Sequence, residues 1–133
     1  MLIVGSFAQV FTGERTIDEC NDIDIIASFD EVIKFLQMHQ ANGSLFTSGP
    51  TPNGKWIAVI QIEENKLKIV EFEISTIGSS SEKLIELNAD KSLHSHPLFG
   101  DVNVATYTTQ YMLKMSHRFL KNSSHFWKTF EDI

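Results

Sequence analysis

The sequence predicts an α/β (α+β) domain, a mixed β-sheet with helices packed on it and C-terminal helices lying over the sheet. Three observations carry this expectation. Short apolar or alternating runs, "MLIV", "DIDIIASF", "KWIAVIQI" and "KLKIVEFEIS", have the length and period of strands. Between and after them, "EVIKFLQMHQ" and the last third of the chain place apolar residues three or four positions apart, as a helix requires. Compact turn clusters such as "SGPTPNG" separate the runs, with no repeat and no long linker. The 133 residues therefore suit a single domain over 1–133, with 1–75 as its core and 76–133 as a helical C-terminal part.

Taken in order, Met1 to Val4 reads as a buried strand that ends at Gly5, and Ser6 to Val10 as a short helix. A polar loop through "TGERTIDECN" follows, and "DIDIIASF" then enters a second strand. Asp30 is the expected N-cap of "EVIKFLQMHQ", in which Val32, Ile33, Phe35 and Leu36 share a face, and "ANGS" ends that helix. "KWIAVIQIEENKLKIVEFEIS" reads as a hairpin turning at "EENK". In its second strand Val70, Phe72 and Ile74 point one way, and Leu67, Ile69, Glu71 and Glu73 the other. "IGSSSEKLIELNADK" suggests a Ser-capped helix, and "LHSHPLFGDVN" a loop. In the last third, Met112, Phe119, Phe126 and Phe130 fall on one side of a helical wheel. Lys114, Arg118, Lys121, His125 and Lys128 fall on the other, with "NSS" as a break and Ser123 or Ser124 as a cap.

Composition narrows the function classes. The apolar runs are far too short to span a bilayer, so no membrane is expected. No basic, apolar, small-residue leader opens the chain, which makes the expected compartment cytoplasmic. Cys20 is the single cysteine, which excludes an internal disulfide and a multi-thiolate zinc site. "HSH" at His94 to His96 offers two imidazoles with no third nitrogen or thiol beside them. The formal charge of −6 argues against a broad nucleic-acid surface. It is unevenly spread: residues 1–90 hold 6 basic and 14 acidic side chains, residues 91–133 hold 5 and 3. The acidic part is suited to cations, the basic part to phosphates.

Strand interiors disfavour aspartate, so Asp22 and Asp24 in "DIDII" call for an explanation. Acids at i and i+2 on a strand project from one face, close enough to share a hard cation such as Mg²⁺ or Mn²⁺. A third carboxylate from a neighbouring strand, Glu71 or Glu73, would complete a site for two ions about 4 Å apart, able to act on a phosphorus centre. Gly5 lets backbone approach a phosphate closely, and the turn at Gly5-Ser6 directs N–H groups at anionic oxygens. A nuclease commonly has a lysine two residues after its strand glutamate; Glu73 and Ser75 stand there instead.

"IVGS" followed by "DIDII" resembles the signature of the nucleotidyltransferase fold shared by the polymerase-beta superfamily. That signature is an apolar residue, Gly, Gly or Ser, a spacer, then acid-apolar-acid-apolar, with a third acid on a later strand. The resemblance implies that Gly5 and Ser6 bind a triphosphate, that Asp22 and Asp24 ligate Mg²⁺ (or Mn²⁺), and that Glu71, with Glu73 as alternate, is the third acid. The implied activity is transfer of a nucleoside monophosphate from an NTP to a hydroxyl or phosphate acceptor. The partners would be an NTP and a nucleic-acid or protein acceptor. The basic side of the C-terminal helices, with Lys114, His117, Arg118 and Lys121, is suited to the triphosphate or a polynucleotide. The other class open to this fold is a non-catalytic binding module, a toxin–antitoxin partner or a subunit of a nucleic-acid-processing complex. Its aromatic-rich C-terminal segment would dock on a protein partner or a second copy.

Overall fold

A computed structural model of the chain describes residues 1–41, 46–52, 54–63, 66–88, 93–106, 108–111 and 113. Their elements are β1 (Leu2–Val4), α1 (Gly5–Phe11), β2 (Asp22–Ser28), α2 (Phe29–Ala41), β3 (Phe46–Ser48), β4 (Lys55–Glu63), β5 (Lys66–Ser75), α3 (Ser80–Asn88), β6 (Leu93–His96) and β7 (Gly100–Val104). A 3₁₀ turn at Ile17–Glu19 interrupts the loop before β2 and is closed by a capping box between Thr16 and Glu19.

The described strands form one mixed sheet in the order β3-β4-β5-β2-β1-β7-β6. β2 and β5 are parallel, as are β1 and β7; the remaining pairs are antiparallel. Alternation along the strands divides the sheet into two unequal faces. Ile23, Ile25, Ala58, Ile60, Val70, Phe72, Val102 and Val104 join Phe7 and Ala8 of α1 and Val32, Phe35 and Leu36 of α2 in the main core. Phe35 meets Phe72 edge-on with ring centroids 5.1 Å apart and stacks on Phe99 at 5.4 Å, favoured ring geometries. Cys20 lies in the same core, 1% exposed, a packed thiol remote from solvent. On the opposite face a smaller cluster of Leu2, Ile26 and Ala105 is covered by Leu84 and Ile85 of α3. α3 covers only part of that face, and the acidic positions of β2 and β5 lie on it.

Asn88 ties the chain after β7 to α3. It is fully buried, donates to the Leu84 carbonyl (2.8 Å) and Thr109 Oγ1 (3.1 Å), and accepts from the Thr106 N–H (3.0 Å). A helical turn at 108–111 follows. The helical wheel read from the last third, including Lys114, Arg118 and the Phe119, Phe126 and Phe130 side, lies outside the described residues.

Two expectations are corrected. Ser28, not Asp30, caps α2: its hydroxyl accepts from the Glu31 N–H (3.2 Å) while Glu31 accepts from the Ser28 N–H (3.1 Å). This reciprocal pair satisfies two otherwise orphaned donors, which a lone Asp30 would not do. "LHSHPLFGDVN" is not a loop but the β6–β7 hairpin, because Val102 and Val104 have core to fill and His94 and His96 pack on Phe11 and Phe7. β3, a three-residue edge strand on β4, has no sequence signal of its own.

Candidate functional site

β1 carries the chain to Gly5, where φ of +66° turns it directly into α1. L-side chains rarely adopt this conformation, and space forbids one as well: a Cβ on Gly5 would lie 2.8 Å from Asp24 Oδ2. The Asp24 carboxylate thus packs against the backbone of the first bend, since antiparallel pairing sets Asp24 opposite Val4. Val4, at the N-cap position, gives the first turn of α1 no side-chain hydrogen bond. Ser6, the second residue of that turn, is half-buried.

Across the other edge of β2, parallel pairing aligns Asp22 with Ile69, Asp24 with Glu71 and Ile26 with Glu73. Aligned residues of neighbouring strands share a face. Asp22, Asp24, Glu71 and Glu73 therefore emerge on the side opposite the main core, and Glu71 is the acid in register with Asp24. Glu73 lies one pleat further on, beside Ile26 and Lys55. Asp22 and Glu73 are exposed, and Asp24 and Glu71 are half-buried. Among the described residues no group of three His, Cys, Asp or Glu side chains is arranged to hold a metal ion. The donor set itself is all carboxylate oxygen, the chemistry that suits Mg²⁺ or Mn²⁺.

Among the described residues, Lys55, which sequence reasoning missed, brings positive charge to this face. Its ammonium lies 2.7 Å from Glu71 Oε1. The Glu71 hydrogen bond, reinforced by the charges of Glu71, Glu73 and Asp24, raises the Lys55 pKa above the ordinary lysine value against the opposing effect of partial burial. Lys55 is thus a stand-in cation among the acids. Ile57 and Ile69 on the same face are 39% and 45% exposed, so the acidic positions adjoin an uncovered apolar floor.

Other candidates lie elsewhere. His94 and His96 sit among Phe7, Phe11 and Phe99, with His96 Nδ1 accepting from the Leu98 N–H at 3.1 Å. His39 is buried against Phe35, its Nε2 3.1 Å from the Leu98 carbonyl. A shallow cavity of about 320 Å³ between Met1, Glu31, Lys34, Phe35, Met38 and Phe99 is on the main-core side and contains none of the paired strand acids. No described helix is long and apolar enough to cross a membrane.

Compared with known proteins, the chain matches no family model and no curated protein. The class that fold and site define is a mixed α/β domain presenting a lysine-neutralised carboxylate face beside a tight strand-to-helix bend.

Proposed function

We propose that the chain is a metal-dependent nucleotidyltransferase of the nucleotidyltransferase fold, moving a nucleoside monophosphate from an NTP to a hydroxyl or phosphate acceptor. One observation carries the reading. Asp24 stands in register with Glu71 on a parallel neighbour while its carboxylate packs on Gly5, which supports reading these three residues as one site.

Asp22, Asp24 and Glu71 would be the oxygen donors for Mg²⁺ (or Mn²⁺), with Glu73 as the alternate third acid. A bound divalent ion would supply charge stabilisation and alignment of the phosphates. Gly5 and Ser6 are assigned to the β- and γ-phosphates; the glycine leaves room for the Asp24 carboxylate, which a side chain there would displace. Lys114 and Arg118, from the sequence alone, are assigned to the triphosphate. The acceptor oxygen forms a bond to the α-phosphorus as the bond to the β-phosphate oxygen breaks. Pyrophosphate leaves, and the acceptor proton passes to Glu71. The acceptor is a nucleic acid or a protein, and the compartment the cytoplasm.

The test uses α-labelled NTPs with Mg²⁺ and RNA, DNA and protein acceptors. Wild type transfers label, and Asp22→Asn with Asp24→Asn abolishes transfer while its melting temperature stays equal or rises, because like charges are removed from one face. Absence of both NTP binding and transfer in wild type, or full activity in the double variant, refutes the proposal.

The Lys55–Glu71 ion pair favours a second reading, a non-catalytic binding module on the same fold, because a lysine already neutralises the acid that a metal would need. NTP binding without turnover, in an assembly larger than one chain by light scattering, would select it.

A further inference from the structure

The turn between β6 and β7, Pro97 to Phe99, is held from two sides by imidazoles. The Leu98 N–H donates to His96 Nδ1 at 3.1 Å, and the Leu98 carbonyl lies 3.1 Å from His39 Nε2 on α2. We propose that His96 is a pH-operated catch for this turn: its neutral ring holds the Leu98 N–H, and a proton on Nδ1 releases Leu98 and lets Phe99 leave Phe35. The turn lies on the main-core side of the sheet, so the catch is independent of the carboxylate face and of the transferase reading.

The hydrogen bonds fix what each ring can do. A carbonyl oxygen only accepts, so His39 Nε2 donates, and it does so whether His39 is neutral or charged. His96 Nδ1 accepts from an N–H, so the neutral ring carries its hydrogen on Nε2 and the next proton can go only to Nδ1. Two donors then face each other at 3.1 Å, and one must withdraw. Leu98 is the side that yields. Pro97 before it has no N–H to pin the chain, whereas His96 is paired with Gly100 in the β6–β7 ladder and packs on Phe7 and Phe11 at 5.8 and 5.6 Å. Phe99 follows Leu98 directly; it is buried, stacks on Phe35 at 5.4 Å and lines, with Phe35, the cavity of about 320 Å³. Release of the catch therefore loosens one wall of that cavity.

The elements packed around His96 bring it little charge. α1 has no titratable side chain and presents Phe7 and Phe11. On β6, His94 shares the face of His96, its own ring on Phe11 at 5.3 Å. Asp101 of β7 pairs with Ser95 and so lies on the opposite face. On α2, His39 stands across Leu98, and Glu31 and Lys34 border the cavity that Phe99 lines. Among the described residues His96 has no ion pair to offset its burial, which holds the imidazole below the ordinary histidine value. The catch is therefore closed at neutral pH and opens as pH falls through that lowered value.

Nuclear magnetic resonance on the full chain tests this. Imidazole nitrogen shifts should show His96 as the Nε2–H tautomer at about pH 8 and give its titration midpoint. Through that midpoint the Leu98 amide, corrected for the intrinsic pH dependence of exchange, should lose about tenfold in protection, the scale of one net hydrogen bond. The contact between the Phe35 and Phe99 rings, read as a nuclear Overhauser effect, should weaken over the same range. His96→Asn offers the Leu98 N–H an oxygen that does not titrate, so it should hold its protection from about pH 8 to about pH 5, with circular dichroism to verify folding. An Nδ1–H tautomer in the wild type overturns the proposal, as does Leu98 protection that stays constant while His96 titrates; neither result depends on the variant. A folded His96→Asn that loses protection over the wild-type range also overturns it, since the proton then acts elsewhere.

Discussion

Gly5→Ala separates backbone strain from damage to the site. At φ of +66° an alanine is held in the left-handed region, at a cost of about 1–2 kcal/mol. Its methyl group would also lie 2.8 Å from Asp24 Oδ2, so the carboxylate must rotate away from the bend. Gly13→Ala is the control: φ there is +81°, and a Cβ meets nothing within 4 Å. Both variants should therefore lose about 1–2 kcal/mol in urea unfolding. Only Gly5→Ala should lose affinity for the Mn²⁺–tripolyphosphate complex, by about tenfold to a hundredfold, the range for disturbing a group that orients a metal ligand. The glycine at 13 carries the same strain without the carboxylate, so any difference in binding reports the contact with Asp24. Equal binding by the two variants would refute the reasoning, as would a Gly5→Ala protein as stable as wild type.

Two further predictions concern the frame of the site. Asn88→Ala removes the side chain that accepts from the Thr106 N–H and donates to Leu84 and Thr109, so it should cost about 1–3 kcal/mol. Hydrogen exchange should rise first at Thr106, Thr109 and Gln110, and unchanged protection there would contradict the assignment. Burial holds the His96 imidazole below the ordinary histidine value, so the folded chain takes up its proton later than the unfolded chain as pH falls. Stability should be fully present above the ordinary value and decline as pH drops through the folded one; His96→Phe should flatten the slope of melting temperature against pH between 7 and 5.

Much of the scaffold was legible because period and burial agree. Val70 and Phe72 alternate with Glu71 and Glu73, and the structure buries the first pair and leaves the second on the opposite face. Ser28 to Glu31 carries the Ser-x-x-Glu pattern of a capping box, but Asp30 is an equally good single-residue cap, and only the Ser28–Glu31 hydrogen bonds decide between them. The β6–β7 hairpin was hidden because His94 and His96 read as polar although their rings pack on phenylalanines. Lys55 was hidden for a sharper reason. Pairing of Glu63 with Lys66, continued without interruption, would set Lys55 opposite Ile74 on the apolar side of β5. A register shift between Gln61 and Glu63 sets it opposite Glu73 instead, among the acids. One inserted residue reverses the face of every side chain beyond it, and nothing in the local sequence announces the insertion. The proximity of Gly5 to Asp24 depends on antiparallel pairing of β1 with β2, which the register supplies and the order of the motif does not specify.

The proposed transferase requires a divalent ion with a triphosphate on the carboxylate face beside the first bend. Paramagnetic broadening of backbone amide signals by Mn²⁺–tripolyphosphate tests it most directly. The account predicts loss of signal centred on Gly5, Ser6, Asp24 and Glu71, with His94, His96 and α2 on the far side of the sheet spared. Broadening centred on the histidines, or spread evenly over the surface with Asp24 and Glu71 still sharp, would contradict it.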